Sequence, residues 1–402
     1  MVDLTSFISK AVTKRDKSMF LKDVETNYDT LYKNIKGKSV LVIGGAGSIG
    51  SSFIRAILPF KPMTLVVVDI NENALAELTR DLRSTKDMYV PNDYIPYPMD
   101  FASSVFEKMF KKRGGFDIVA NFSAHKHVRS EKDIFSIEAL IRNNVLNAKM
   151  LLDLLSEYPP EEYFCVSTDK AANPVNIMGA SKRIMEDVIF SYSDKFPVKT
   201  ARFANVAFSN GSLPAGFLYR ISKLQPLSAP LDVKRYFVSP EESGQICLLS
   251  CILGNNRDIF FPKLEEAQMM TFDVIATELL HTYGFDVLEC SSDEESIEKA
   301  ASLKNGSMDY PVHFSTSNTS GEKSFEEFFT ETETVDMDRF KALGVVIDKG
   351  VTDRGSVEDL FNKLNSAFEK DNVSKEDVVV ILSDYLPNFE HIETGKSLDT
   401  KM

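Results

Sequence analysis

The sequence contains no tryptophan and little cysteine: its 402 residues include four cysteines, Cys165, Cys247, Cys251 and Cys290. No two of them form a CxxC pair, and none stands at a Cys/His spacing typical of zinc. The pattern argues against a disulfide framework and against a structural zinc site, and we expect no metal. Reduced thiols in a hydrophobic core are typical of a cytoplasmic protein.

The sequence also lacks long apolar runs and an excess of positive charge. No apolar run approaches the roughly 18 residues of a membrane span, and the N-terminus has no signal-peptide core. The net charge of −13 argues against general affinity for nucleic acid or for an anionic membrane. We therefore expect a cytoplasmic protein that has neither nucleic acid nor a membrane as a partner.

The composition is that of an ordinary globular protein, with 43% hydrophobic and 26% charged residues. A chain of 402 residues allows one large domain with additions at its ends. Residues 1–36 are polar with scattered apolar positions and are expected to form short helices. Apolar spacing over 357–368 and a capping signal at Ser374 predict two further helices near the C-terminus, and the polar residues 390–402 are expected to be disordered.

A glycine-rich turn follows the first predicted strand, residues 39–43, and opens a predicted helix. The turn contains Gly44, Gly47, Ser48, Ile49 and Gly50. Glycines there let backbone N–H groups at the start of a helix approach a pyrophosphate. A second strand, 64–68, leads into Asp69, which lies 19 residues beyond Gly50, where an acceptor for a ribose hydroxyl is expected. The pattern predicts a dinucleotide site, and the alternative is a purely structural turn.

Asp69 also bears on the choice of dinucleotide. A carboxylate binds the ribose 2′-hydroxyl of NAD and repels the 2′-phosphate of NADP. Arg80 and Arg83 follow on the next predicted helix, and an arginine can accept that phosphate. NAD is the expected cofactor, with NADP as the alternative.

A hydroxyl, an acid and an amine stand side by side after a predicted strand, in Thr168, Asp169 and Lys170. Open α/β sheets place their chemistry at such strand ends. Met178 and Lys182 are four residues apart, on one face of the following predicted helix. The alternative for the acid and the amine is an ion pair at a surface turn.

These residues resemble the extended short-chain dehydrogenase/reductase superfamily. Within it, the Thr168-Asp169-Lys170 triplet and the Met178-x-x-x-Lys182 pair resemble the nucleotide-sugar 4,6-dehydratases of the polysaccharide biosynthesis type. Most of the superfamily has tyrosine where this chain has Met178, and a subgroup of these dehydratases has methionine. Since methionine has no ionisable proton, the resemblance implies that the triplet handles the protons.

The resemblance implies an α/β fold with a Rossmann-like, doubly wound parallel sheet and a smaller C-terminal substrate-binding region. It covers about residues 37–345. The expected division is an N-terminal helical arm (1–36), an NAD(P)-binding domain that carries the catalytic residues (37–205), a substrate-binding region (206–348) and a C-terminal helical extension with a disordered tail (349–402). The resemblance also implies a homo-oligomer that pairs through helices beside the active site.

The reaction that the resemblance implies is an internal hydride transfer on an NDP-N-acetylhexosamine of the UDP-GlcNAc or GDP-GlcNAc type. Hydride leaves sugar C4, water is lost across C5 and C6, and the hydride returns to C6, which gives a 4-keto-6-deoxy sugar for surface-polysaccharide or nonulosonic-acid synthesis. Lys170 is the expected base at C5 and Asp169 the acid at O6. Thr168 is expected to hold O4, and Lys182 to bind the nicotinamide ribose.

Further positions match the family's motifs. Asp100, after the third predicted strand, is expected to meet the adenine. Lys126 and His127 are expected beside the nicotinamide and the sugar, in a loop where Arg129 replaces the usual proline; the alternative is a solvated loop. Asn144 is expected to brace the strands structurally.

Two later segments are expected to bind the substrate's phosphates. Asn205 follows an Arg-Phe-Ala run and would bond the diphosphate, in a loop where Phe208 replaces a usual glycine. Arg235 is a candidate phosphate ligand because a guanidinium fork suits phosphate oxygens, the alternative being a solvated arginine. A Gly-Glu-Lys motif at 320–327 has Thr319 where the family has a nucleotide-binding arginine, so the nucleotide stays open.

Two other functions stay open from the sequence. A nucleotide-sugar 4-epimerase or oxidoreductase needs only the hydride step at C4 and normally keeps tyrosine at position 178. A non-catalytic dinucleotide-binding sensor would keep the glycine turn and Asp69 but has no need for the triplet and Lys182. The sequence favours the dehydratase over both.

Overall fold

The computed structural model describes residues 2–303, 307–317, 325, 327–347, 349–350 and 352–392, without the side chains of Arg129 and Ser130. Of the motif predicted at 320–327, Phe325 and Glu327 are described, and the rest lies outside the described residues together with Thr319. Residues 393–402 of the predicted disordered tail also lie outside them.

The helices of the described chain follow the predicted order. They are α1 (Leu4–Phe7), α2 (Leu21–Thr26), α3 (Tyr28–Ile35), α4 (Ser48–Ile57), α5 (Glu72–Ser84), α6 (Ser104–Arg113), α7 (Ile134–Ile141), α8 (Asn147–Glu157), α9 (Ile177–Phe190), α10 (Leu213–Ser222), α11 (Pro240–Leu253), α12 (Phe272–Tyr283), α13 (Asp293–Ala301), α14 (Arg354–Phe368) and α15 (Lys375–Tyr385).

The strands alternate with these helices through the first half of the chain. They are β1 (Ser39–Ile43), β2 (Thr64–Asp69), β3 (Asp93–Pro98), β4 (Ile118–Asn121), β5 (Glu162–Thr168), β6 (Val198–Phe203), β7 (Asn205–Val206), β8 (Leu227–Pro230), β9 (Lys234–Arg235), β10 (Phe237–Val238), β11 (Ile259–Pro262), β12 (Met270–Thr271), β13 (Asp286–Cys290), β14 (Asp309–Ser315), β15 (Thr334–Asp336) and β16 (Leu343–Ile347).

A nine-stranded sheet forms the centre, in the order β15-β16-β11-β6-β5-β4-β1-β2-β3. Strands β1 to β6 are parallel and follow the 3-2-1-4-5-6 order of the doubly wound dinucleotide-binding fold. Strand β11 continues the sheet in parallel, whereas β16 and β15 add two antiparallel strands. The predicted fold class is confirmed. Its inner strands are apolar because parallel sheets of this kind are covered by helices on both faces.

Local boundaries agree with the sequence pattern at some elements and differ at others: β5 is longer than the predicted 163–166, and α12 begins two residues after the predicted Met270. Strands β1 and β6 have the predicted bounds. The third strand was expected to end at Met99-Asp100, but β3 ends at Pro98. The fourth was expected to begin at Phe116, but β4 begins at Ile118, because the Asp117 carboxylate accepts the Ser39 N–H at 2.7 Å and takes the place of a backbone partner there.

A second hydrophobic core lies beside the sheet. The three-stranded sheet β13-β14-β8 packs with α10 and α12, and the N-terminal arm contributes the buried side chains of Phe7, Ile8 and Val12. The predicted domain boundary at residue 205 stays a prediction. Strands β11, β15 and β16 follow residue 205 in the chain and join the central sheet.

The C-terminal helices pack on the central domain. The capping box predicted at Ser374 is present, with Asp377 as its second member. Helix α14 lies along α8 and α9: Lys149 is 3.1 Å from Glu358, and the Arg354 guanidinium lies 4.9 Å from the ring centre of Tyr192. The expected pairing of two chains through helices beside the active site stays a prediction.

The four cysteines are expected to be reduced thiols in the core. All four thiols are buried and unpaired. Within the described ranges, no helix combines the length and the apolar character that crossing a membrane requires.

Candidate active site

The loop after β5 joins three predicted catalytic residues through one carboxylate oxygen. Asp169 Oδ1 accepts hydrogen bonds from Thr168 Oγ1 at 2.8 Å, from the Lys170 backbone N–H at 2.9 Å and from Lys170 Nζ at 3.1 Å. Asp169 is 4% exposed. Because this carboxylate is withdrawn from water and lies between a hydroxyl and an amine, protons can be exchanged within the triplet.

Lys182 projects from α9 beneath the same loop. Its side chain is 3% exposed, and its Nζ donates to the Val166 carbonyl at 3.0 Å and lies 3.7 Å from the Met185 sulfur. Burial lowers the pKa of Lys182 from its ordinary 10.5 to about 8. The ammonium is therefore held at a fixed position and has a reduced pKa.

Met178 occupies the first turn of α9 and is 3% exposed. Its side chain lines the cavity together with Thr168, Lys170 and Lys182. A thioether does not serve as a proton donor or base, so Met178 gives this wall of the cavity an apolar surface.

The glycine turn brings two loops of the sheet into contact. Gly44 has a φ of +69°, and a Cβ there would lie 2.7 Å from the Ser123 backbone nitrogen, after β4. A Cβ at Gly50 would lie 2.4 Å from the Gly44 carbonyl oxygen. Only glycine fits these positions without displacement of the backbone. Gly47 is the N-cap of α4 and supplies no side-chain cap, so the amides of the first turn face the cavity edge.

Asp69 lies beside this turn at the end of β2. Its Oδ2 accepts the Ala46 N–H at 3.0 Å, and its Oδ1 accepts the Asn71 N–H at 2.9 Å. The two arginines that offered an NADP alternative are engaged elsewhere. Arg80 pairs with Glu77 on its own helix, and the Arg83 guanidinium lies 5.9 Å from the ring centre of Tyr94.

Asp100 follows β3 and is exposed. Its Oδ1 accepts the Ala102 N–H at 2.9 Å. Neither Asp100 nor Asp69 lines the cavity that contains Met178 and Lys182.

The loop that follows β4 forms another wall. Lys126 and His127 line the cavity, and desolvation lowers the pKa of Lys126. A Cβ at Gly211 would lie 2.9 Å from the His127 Nε2, so the imidazole lies against the loop before α10. Asn144 braces this loop rather than the strands that the sequence predicted, because its amide exchanges two 2.9 Å hydrogen bonds with the backbone of His125.

One cavity of about 800 Å³ connects the glycine turn with the catalytic loop. The predicted site residues that line it are Gly44, Gly47, Ser48, Ile49, Gly50, Lys126, His127, Thr168, Lys170, Met178, Lys182 and Asn205. A single cleft of this size at the switch point between β1 and β4 is where doubly wound sheets bind their ligands.

The predicted phosphate ligand Arg235 is a buried side chain. It is 5% exposed, donates from Nη1 to the Lys234 carbonyl at 2.8 Å and does not line the cavity. Asn205 does line it, and its backbone N–H donates to the Tyr236 carbonyl. Phe208 takes a left-handed φ of 54°, a conformation that favours glycine.

The far wall of the cavity contains residues that the sequence reasoning missed. Tyr219 and Arg220 on α10 line it, together with Ser228 and Ser315 from two neighbouring strands. Arg220 lies one helical turn after Phe217, the last residue of the recognised motif, so extending that motif by a turn would have found it. Its guanidinium could bind a phosphate from this wall of the cavity.

Among the described residues, no three or more His, Cys, Asp or Glu side chains are grouped so that they could hold a metal ion.

Comparison with known proteins identifies the family of the chain. A family model described as "Polysaccharide biosynthesis protein" matches residues 40–347. The chain belongs to this family. The match contains every predicted site residue and ends before α14, so the C-terminal helices lie outside it.

Three curated relatives show the range of the family. The "uncharacterized membrane protein MJ1061" of Methanocaldococcus jannaschii is 30% identical over 85% of this chain and 95% of its own length. The "probable polysaccharide biosynthesis protein EpsC" of Bacillus subtilis is 27% identical over 78% of this chain, which spans about half (48%) of that longer protein. The "UDP-N-acetylglucosamine 4,6-dehydratase (inverting)" of Campylobacter jejuni is 25% identical over 61% of this chain and 73% of its own length.

Solved structures share the fold. Pen from Bacillus thuringiensis superposes with a TM-score of 0.61 at 19% identity, over 78% of this chain and 88% of its own. The UDP-Glc/GlcNAc 4-epimerase of Campylobacter jejuni superposes with a TM-score of 0.53 at 16% identity, over 73% of this chain and 91% of its own. At these identities the likeness concerns the fold alone.

Proposed function

We propose that the protein is an NAD-dependent nucleotide-sugar 4,6-dehydratase that acts on an NDP-N-acetylhexosamine. The observation that carries the proposal is the hydrogen-bonded Thr168–Asp169–Lys170 triplet, whose hydroxyl and amine line the same cavity as Met178 and Lys182. Elimination of water needs an acid and a base close together, and this arrangement offers both. The dehydratase relative from Campylobacter jejuni supports the same reading.

The residues present fit a dinucleotide. The crowding at Gly44 and Gly50 leaves backbone rather than side chains facing the ligand, and the N-terminus of α4 offers free amides to a pyrophosphate. Asp69 would accept the ribose hydroxyls, and Lys182 would donate to the nicotinamide ribose. With Arg80 and Arg83 paired elsewhere, the charge beside Asp69 favours NAD.

NAD, when bound, supplies a reversible hydride acceptor for the carbon at C4. The protons are the task of the chain's own residues. The O4 proton can pass to the Thr168 hydroxyl and from it to Asp169, because Thr168 Oγ1 already donates to Asp169 Oδ1 at 2.8 Å. Thr168 thereby replaces the missing phenol at position 178 as the contact to O4.

The same carboxylic acid then serves the elimination. Neutral Lys170 takes the proton from C5. Asp169 lies behind the cavity lining and returns the proton it received from O4 through the Thr168 hydroxyl to the departing 6-hydroxyl, which leaves as water. Lys170 returns its proton to C5 when the hydride reaches C6. Asp169 ends as a carboxylate and Lys170 as an amine, as both began, so no external acid or base is consumed.

Incubation with a panel of UDP- and GDP-linked N-acetylhexosamines tests the proposal. Mass spectrometry should show a product that has lost one water and carries a ketone, with no net consumption of NAD. A product of unchanged mass with inverted C4 would replace the proposal with the 4-epimerase. A protein that binds NAD but converts no member of the panel would leave the non-catalytic dinucleotide-binding sensor as the remaining candidate.

The 4-epimerase is the second candidate because its fold is shared, as the superposition on the Campylobacter jejuni enzyme shows. Fold alone does not choose between the two reactions. Two features disfavour the epimerase. Met178 stands where an epimerase normally keeps tyrosine, and a reaction confined to C4 has no evident use for the Asp169–Lys170 pair.

A further inference from the structure

Glu131 is a buried carboxylate beside the active site that the proposed mechanism does not use. It ends the single 3₁₀ turn that follows the Lys126–His127 loop and is 8% exposed. Its Oε1 accepts the backbone N–H of Met178 at 3.0 Å, and its Oε2 lies 3.3 Å from Nε2 of His391. A buried carboxylate without partners is costly, and here each oxygen has one.

The Met178 N–H belongs to the first turn of α9. The first amides of a helix have no partner within the helix. The N-cap Asn176 satisfies the Gly179 N–H at 2.7 Å, and Glu131 satisfies that of Met178 from a different segment of the chain. A negative charge at this end of a helix is also favoured by the helix dipole.

This first turn lies directly on the catalytic loop. A Cβ placed on Gly179 would be 2.7 Å from the Lys170 carbonyl oxygen, so backbone contacts backbone. A displacement of the start of α9 therefore displaces Lys170 and the Met178 side chain together. A misplacement of about 1 Å in an active site can cost about a hundredfold in rate.

The C-terminal segment Leu386–Ile392 holds Glu131 from the outside. His391 contacts its carboxylate, and the Ile392 N–H donates to the Val175 carbonyl at 3.0 Å, in the loop that precedes α9. From α15, Lys375 Nζ donates to the Glu131 carbonyl at 3.2 Å. These contacts come from residues beyond 347, outside the family match.

We infer that Glu131 is a positioning residue of the active site, held by the C-terminal segment through His391. Its role is to fix the first turn of α9 and, through Gly179, the position of Lys170. The inference rests on the proposed function for its kinetic effect, but the structural effect on α9 does not depend on which reaction is catalysed.

Four single variants of the full chain test the inference. Glu131→Ala removes both contacts, whereas Glu131→Gln keeps an oxygen that can accept the Met178 N–H. His391→Ala removes the outer contact. Glu390→Ala is the matched control, since Glu390 is the exposed neighbour of His391 and touches neither Glu131 nor α9 in the described contacts.

The kinetic readout is water loss from the sugar nucleotide. Glu131→Ala should lower kcat about tenfold or more, with unchanged KM and little change in NAD affinity, because most of the proposed dinucleotide contacts come from the glycine turn and Asp69 rather than from the first turn of α9. Glu131→Gln should recover most of that loss. His391→Ala should lie between the wild type and Glu131→Ala, and Glu390→Ala should match the wild type.

Hydrogen exchange supplies a readout that needs no substrate. In Glu131→Ala the peptide that covers residues 177–190 should exchange faster, with the increase at its N-terminal end, and His391→Ala should show the same change more weakly. If the wild type converts no substrate but this exchange pattern is seen, the proposed function fails and the positioning contact stands.

Two outcomes would overturn the inference. One is unchanged exchange and unchanged kcat in Glu131→Ala. The other is a parallel loss of melting temperature, NAD affinity and kcat that Glu131→Gln does not restore, which would make Glu131 a general stabiliser of the fold.

Discussion

Arg202 and Glu186 form a bidentate ion pair inside the protein, with Nε–Oε1 and Nη2–Oε2 distances of 2.9 and 2.8 Å. Neither side chain has exposed surface. Glu333 contacts the other edge of the guanidinium, and Ser167 Oγ donates to Glu186 at 2.7 Å, one residue before Thr168. Burial alone would raise the pKa of Glu186, but Arg202 holds that pKa below its ordinary value.

Replacing Arg202 should destabilise the whole domain. Arg202→Met removes the cation that pairs with both Glu186 and Glu333 and leaves these carboxylates with the longer contacts of Arg183, at 3.5 and 3.3 Å. Loss of one member of a buried pair typically costs about 3–5 kcal/mol. Urea unfolding followed by circular dichroism measures the change in the free energy of unfolding.

The matched control is an exposed ion pair. Lys363 lies 3.6 Å from Asp384, and both side chains are more than half exposed, at 55% and 60%. Lys363→Ala should cost less than about 1 kcal/mol. Similar losses in the two variants would mean that the buried pair adds no more than a surface one.

Asp69 should decide the choice of cofactor. The wild type should bind NAD more tightly than NADP, because a 2′-phosphate would meet the Asp69 carboxylate. Asp69→Ala should narrow that difference mainly by weakening NAD binding. Titration calorimetry with both dinucleotides measures the two affinities. Tighter binding of NADP by the wild type would show that Arg80 or Arg83 can leave its present partner.

The Asp169–Lys170 pair should be essential for elimination but not for binding. Lys170→Ala and Asp169→Asn should each lower the rate of water loss by about 10²–10⁴-fold, the usual cost of a lost general acid or base. NAD and substrate affinity should stay close to those of the wild type. In deuterated water, the wild-type product should carry deuterium at C5, since the Lys170 ammonium exchanges its protons with solvent.

The control for the lysine variant is Lys195→Ala, which removes a half-exposed lysine (48%) from outside the cavity. It should keep full activity. If Lys170→Ala also keeps nearly full activity, the base is a different residue, and Lys126 or His127 on the facing wall is the next candidate.

Lys182 should make stability and NAD binding depend on pH. Its pKa is lowered to about 8 in the folded protein from an ordinary 10.5, so between these values the unfolded chain binds one more proton than the folded chain. The free energy of unfolding contributed by this group therefore rises with pH across that window. NAD affinity should fall as pH rises through about 8, because the ammonium that binds the ribose is lost.

Lys182→Met isolates this effect. The variant should lose the rise in stability between about pH 8 and 10.5 and show weak NAD binding that no longer changes near pH 8. Lys199, whose pKa burial also lowers to about 8, is present in both proteins and cancels in the comparison. Identical pH profiles would show that Lys182 does not titrate in this range.

Several local features were predictable because their determinants are neighbours in the chain. The bounds of β1 follow from an apolar run, and the glycine turn with Asp69 follows from spacing alone. Thr168, Asp169 and Lys170 are consecutive, so their proximity required no knowledge of the fold. The family match over residues 40–347 agrees with these motifs.

The surroundings of Arg235 depend on tertiary packing. Its guanidinium is expected to bind a phosphate. The side chain is 5% exposed on β9, which pairs with β12, and it does not line the cavity, so this role stays a prediction. Arg220, without a recognised motif, lies in the cavity wall instead. Which of two arginines faces a cleft depends on how a helix and a strand pack, and local sequence does not specify that packing.

The sequence by itself determined the strand–turn–helix units, the cofactor turn and the chemical types at the catalytic loop, since hydrogen bonding and periodicity act over a few residues. Only the tertiary structure decided which distant groups meet. Glu131 and His391 are 260 positions apart, and Arg202 and Glu333 are 131 apart. Such contacts arise when helices and strands bury their apolar faces together, because a charge caught in that burial must find a partner among whatever segments the packing brings near.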